Sequence, residues 1–245
     1  MGLFNSIWMY FRKRNFPMVG IVDAICPYCN TELIKKPGRK KKCPQCDNFI
    51  YVRTSPKTNE KILVTDSQRD IIEEQWCIVN GTHAEFKQNK KKIDDEKQSL
   101  KKKFGREPTE NDVKWSLLSK QVKANAEDGN WGLYRNDKFA MAEVLSAESR
   151  IKQALSTYLE VAYLDINGPC NTSGYSSKEF PAFQTTHAMI APGVITRAKK
   201  LIKKMDLSEA ETKDVFNEIA EINYKNLKLP VKPETAWKEI KKEIF

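Results

Sequence analysis

Cys26-Pro27-Tyr28-Cys29, thirteen residues, then Cys43-Pro44-Gln45-Cys46: these two Cys-x-x-Cys pairs decide how the chain reads. Two residues between the cysteines of a pair let a tight turn aim both sulfurs at one metal, and two such turns make a tetrahedral four-thiolate site. Asn30 and Asp47 follow the second cysteine of each pair. Both residue types tolerate the left-handed conformation that such a turn requires. The residues between the pairs are polar and basic, enough to run out and return as a short hairpin. The stretch reads as a zinc ribbon holding one structural Zn2+ on Cys26, Cys29, Cys43 and Cys46. Four thiolates close the coordination sphere and leave no position for an activated water.

Two other readings exist. Cys-Pro-Tyr-Cys alone resembles the redox motif of glutaredoxins, but that motif opens a helix. Here Asn30 to Ile34 leads as a strand into the turn Lys35-Lys36-Pro37-Gly38. A pair of disulfides would suit a secreted chain, and the sequence carries no secretory signal.

At 245 residues the chain can bury a core in one domain or two, and no apolar run is long enough to span a bilayer. Cys77 and Cys170, outside the four, read as small packing residues. The net charge of +10 is uneven. Residues 1–61 carry +8 and residues 87–106 carry +6, while the remainder carries −4. Two basic segments therefore hold the whole excess, which points to an anionic partner, nucleic acid first.

The chain divides into a segment 1–22, the ribbon 23–65 and a helical domain 66–245. Residues 1–14 are apolar and end in Arg12-Lys13-Arg14. They read as a segment docked on the protein, with peripheral membrane contact as the lesser alternative. Met-Gly-x-x-x-Ser also fits an N-myristoylation pattern. Residues 48–53 and 61–65 are rich in β-formers and complete the ribbon's sheet. Thr65-Asp66-Ser67 caps a helix that ends at Asn80-Gly81. A basic helix over 82–104 follows, with Phe86, Ile93, Leu100 and Phe104 expected as one buried stripe. Thr109-x-x-Asp112 caps the next helix, which stops at Asp128-Gly129-Asn130. A helical hairpin over 131–167 turns at Ser149-Arg150. Residues 170–192 form a long loop carrying His187, expected to be a hydrogen-bonded structural histidine rather than a ligand with Cys170. Cys77 and His83 give only a weak metal signal. Helices over 193–245 close the chain, with a capping box at Ser208-x-x-Glu211 and breaks at Pro230 and Pro233.

The hairpin resembles a tetratricopeptide repeat through Ala142, Ala154, Ile151 and Tyr158. It departs from the family pattern at Ser149, Val161 and Ile166, and no period near 34 recurs. Cys26 to Cys29, Arg39 to Cys46, Tyr51-Val52-Arg53-Thr54 and Trp131 to Asn136 together resemble a group of zinc-ribbon proteins of phages and prophages of Gram-positive bacteria. That resemblance implies a bacterial host cytoplasm and carries no activity with it.

The expected fold is mainly α with a small β zinc ribbon. No phosphate loop, nucleophile elbow or His-Glu-x-x-His run is present, so nothing proposes an enzyme. The expected function is nucleic-acid binding through Lys35, Lys36, Arg39, Lys40, Lys41 and Lys42 of the ribbon and Lys90, Lys91 and Lys92 of the basic helix. The helical domain would bind a protein partner. The alternative is a protein-only adaptor or inhibitor of a host defence or replication factor.

Overall fold

The computed structural model of the chain describes residues 16–172 and 181–245. The apolar segment 1–14 with its myristoylation pattern, and Tyr175 and Phe180 of the long loop, lie outside the described residues. The fold is mostly helical with one small antiparallel sheet, and it divides into two compact units, Met1–Asp94 and Asp95–Phe245. No helix among the described residues is long and apolar enough to cross a membrane.

The first unit is built on three strands in the order β1 (Lys41–Lys42), β2 (Phe49–Thr54) and β3 (Lys61–Val64). Lys41 pairs with Ile50, and Tyr51 pairs with Val64. Ile21 adds to the free side of β3, exchanging hydrogen bonds of 2.9 and 2.8 Å with Leu63. Gly20 makes that approach possible. It sits at φ +81°, and a Cβ there would lie 2.6 Å from Val64 Cγ1. Alternation along β3 sends Leu63 to a small core with Ile50, Cys26 and Cys43, and sends Ile62 and Val64 to another with Ile72.

Ile72 belongs to α1 (Asp66–Asn80), which Thr65 caps as expected, with Gln68 completing a capping box. Gly81, left-handed at φ 78°, ends it. Trp76 Nε1 donates to the Thr54 carbonyl at 2.8 Å, and Arg53 pairs with Glu73 at 3.0 Å, fixing α1 on the sheet.

The boundary between the units falls within α2 (His83–Phe104). The stripe expected to be buried there is not. Leu100 is buried and Phe86 half-buried, but Ile93 and Phe104 are exposed by 47% and 41%. The buried row is Glu96 and Leu100, four residues apart and so on one face. Glu96 accepts from Ser116 Oγ at 2.5 Å and pairs with Lys120, which holds its carboxyl below the usual range. A carboxylate buried by its partners is invisible to a count of apolar spacings.

In the second unit, α3 (Glu110–Glu127), α4 (Trp131–Ala147), α5 (Ile151–Asn167), α6 (Pro192–Met205), α7 (Glu209–Leu227) and α8 (Pro233–Ile244) form a bundle. The capping boxes at Thr109 and Ser208 are present, and Ser149, at φ 60°, makes the turn between α4 and α5. Helix α5 is central: α4, α6, α7 and α8 all pack on it, and every residue from Tyr158 to Asn167 is buried. A helix enclosed on all sides needs partners for its polar groups. Arg135 clasps Asp165 through two bonds of 2.6 and 2.7 Å, and the Ala191 amide adds a third at 3.0 Å. Lys138 pairs with Glu160 at 2.9 Å, and Asn223 donates to the same carboxylate. Asn167 donates to the Tyr163 carbonyl and accepts from the Val231 amide.

Ala142 and Ala154, on α4 and α5, are both fully enclosed. Ala154→Leu is expected to cost about 1–3 kcal/mol, since added methylenes have no space to fill. Lys152→Leu, at an exposed site of the same helix, should cost less than about 0.5 kcal/mol. Urea denaturation of both variants checks the difference.

Candidate metal centre and basic face

Each Cys-x-x-Cys pair folds as the same turn. The Cys26 amide donates to the Thr31 carbonyl at 2.9 Å, and the Asn30 amide donates back to the Cys26 carbonyl at 2.9 Å. The Cys43 amide donates to the Asn48 carbonyl at 2.9 Å, and the Asp47 amide returns to the Cys43 carbonyl at 3.0 Å. Asn30 and Asp47 are left-handed at φ 58° and 55°, as their residue types allow. The first cysteine of each pair is buried against Ile50 and Leu63, and the second is half-buried.

The turns bring the four sulfurs within 4.8 Å of one another. Cys26 and Cys46 are 3.8 Å apart at sulfur, and so are Cys29 and Cys43. A regular tetrahedron with metal–sulfur bonds of about 2.3 Å has edges of about 3.8 Å. The cluster is therefore sized for a tetrahedral metal ion and can hold one. All four cysteines are free thiols. Burial pushes the Cys26 thiol up to about 12, whereas the Thr31 hydroxyl and amide bring Cys29 down to about 6. The Cys46 amide lowers Cys43 as well. A cation at the centre supplies the charge that a buried Cys26 thiolate needs.

No protein-family model, curated protein or solved structure matches the chain. What the first unit can do is read from its own geometry.

Among the described residues the four cysteines are the one group of three or more potential metal ligands. Cys77 and His83 do not add to it: His83 Nε2 instead meets Glu74 at 2.8 Å. Cys170 Sγ does lie 3.5 Å from His187 Nδ1. Burial raises that thiol, and the contact joins Gly168-Pro169-Cys170 to the short 3-10 turn Thr185–His187.

The cations read from the sequence occupy three kinds of position. Lys35, Arg39, Lys40, Lys41 and Lys42 are exposed on the ribbon, the last two in β1 rather than in a loop. Lys36 is half-buried, its ammonium spent on the Lys61 carbonyl. Lys90, Lys91 and Lys92 are exposed on α2, in the same unit. Lys42 pairs with Asp47 at 2.7 Å. Among the described residues, Lys35, Arg39, Lys40, Lys41, Lys90, Lys91 and Lys92 have no carboxylate partner. All seven are exposed, on the ribbon or on α2.

The sequence reading gave Phe49 and Tyr51 no binding role, taking them as β-formers and Tyr51 also as part of the ribbon resemblance. Lys40 Nζ lies over both rings, 4.2 Å from the centroid of Phe49 and 4.8 Å from that of Tyr51. The signal was available: Phe49, Tyr51 and Arg53 alternate with Ile50 and Val52, so strand periodicity places them on one face.

Proposed function

We propose that this chain is a nonenzymatic protein whose first unit, held together by one structural Zn2+, binds nucleic acid through its basic face. Zinc is the metal that a closed, tetrahedral set of four thiolates suits best, with iron as the common competitor. The observation that carries the reading is the run of unpaired cations fixed to the metal-held ribbon, with Lys41 locked in β1 beside Ile50. Charges that only kept the chain in solution would not need a folded platform. Phosphate contacts do, because their spacing fixes the register of the bound strand. A phage or prophage origin and a bacterial cytoplasm accompany this reading through the resemblance noted in the sequence.

Replacing Lys35, Arg39 and Lys41 together by Ala tests the assignment. The three are exposed and unpaired, so melting should stay within about 0.5 kcal/mol of wild type. Affinity for DNA and RNA should fall, and the slope of log K against log salt should flatten by about 2 for three lost contacts. Fluorescence anisotropy across a salt series reads both. Unchanged affinity in the triple variant would remove the ribbon from the interface.

A further inference from the structure

Charge alone does not distinguish a duplex from a single strand. The rings on β2 do. Phe49 is 43% exposed and belongs to none of the apolar cores, while Tyr51 lays one side against the Ile62, Val64 and Ile72 core. The two are neighbours on one face of the strand, about 6.8 Å apart along it. Lys40 caps both rings, and Lys42 lies 5.4 Å from the Phe49 centroid. Arg69 sits 5.2 Å from the Tyr51 centroid, and it is held there by Asp66 and Asp70. The arginine is thus committed to carboxylates and orients the ring. The Lys40 ammonium has no such partner among the described residues and is free to meet a phosphate.

We infer that Phe49 and Tyr51 form a stacking platform for two successive bases, with Lys40 between ring and phosphate, and that the site selects single-stranded nucleic acid. A base presents a flat face to the Phe49 ring only when it is out of a duplex, where its faces are already covered. Lys40 is exposed and has no carboxylate to hold it, so it moves off the ring towards a phosphate as a base stacks on Phe49, and every base has a face to offer, so the preference is for strandedness rather than sequence. The inference rests on the nucleic-acid reading of this unit.

The experiment measures affinity of the full chain for labelled oligothymidylate, oligouridylate and a DNA duplex of matched length, for wild type, Phe49→Ala, Phe49→Leu and Phe49→Trp. Wild type should prefer the single strands. Phe49→Ala and Phe49→Leu should lose about tenfold for them, the effect of one stacked base, with duplex affinity and salt slope unchanged. Phe49→Trp should keep or raise single-strand affinity. The tighter of the two single strands tells whether the natural ligand is DNA or RNA. Metal content equal to wild type shows that the variants are folded, and Phe49→Trp keeps the test decisive if the smaller residues disturb β2. Duplex and single strands bound equally, with all three variants unchanged, overturns this inference and leaves the nucleic-acid reading standing. Wild type binding none of the three overturns both.

Discussion

Cys26→Ser is expected to strip the metal from the first unit and unfold it while the helices of the second unit remain. Cys26 is fully buried, and its sulfur is one corner of the four-sulfur cluster. The apolar side chains that share its core, Ile50 and Leu63 with half-buried Leu33 and Val52, are too few to fold so small a sheet alone. Metal binding contributes about 10–16 kcal/mol of apparent free energy in comparable zinc-finger peptides, so losing a ligand removes most of what holds the ribbon. Elemental analysis should give one metal per wild-type chain and less in the variant. Limited proteolysis should then cut within residues 20–64 of Cys26→Ser and spare the bundle. Cys77→Ser, outside the cluster, is the control and should resemble wild type in both measurements.

The second large effect is expected at Gly168. It ends α5 at φ +62°, and a Cβ there would lie 1.9 Å from the Gln184 carbonyl oxygen. That carbonyl cannot move aside cheaply. The Gln184 amide donates to the Gly168 carbonyl at 2.9 Å, and the Cys170 amide donates to Ala182 at 2.9 Å, so the two segments are bound together. Gly168→Ala combines a left-handed backbone penalty of about 1–2 kcal/mol with a backbone collision. The total should reach about 3 kcal/mol or more, in the range of severe core defects. Gly193→Ala is the comparison, because the nearest atom to a Cβ there is an Arg197 guanidinium nitrogen at 3.4 Å. It should be neutral. Urea denaturation followed by far-UV circular dichroism, dominated by the bundle, compares the two.

Features set by neighbouring residues are legible in the amino-acid order itself. The cysteine spacing, the left-handed Asn30 and Asp47, and the caps at Thr65, Thr109 and Ser208 all lie where local chemistry places them. Each involves residues within a few positions, so residue type and spacing are enough to place them. What stayed hidden depends on partners distant in sequence. Arg135 and Asp165 are 30 residues apart, and nothing local says that they meet inside the bundle. Glu96 is buried because Ser116 and Lys120 come to it, so an apolar stripe through Ile93 was the wrong face. Gly20 reads as an ordinary loop glycine until Ile21 is seen pairing with Leu63. The basic face was half legible. Its charges stand in the sequence as a run, but that Lys40 sits over Phe49 and Tyr51 needs the register of β1 on β2.

The central claim is that the first unit contacts phosphates. The most direct test is the affinity of the metal-loaded full chain for a single-stranded oligonucleotide across a salt series. Three to five phosphate contacts predict that log K falls linearly with log salt, with a slope of about −2 to −4. No binding at low salt, or binding that salt leaves unchanged, would contradict the account.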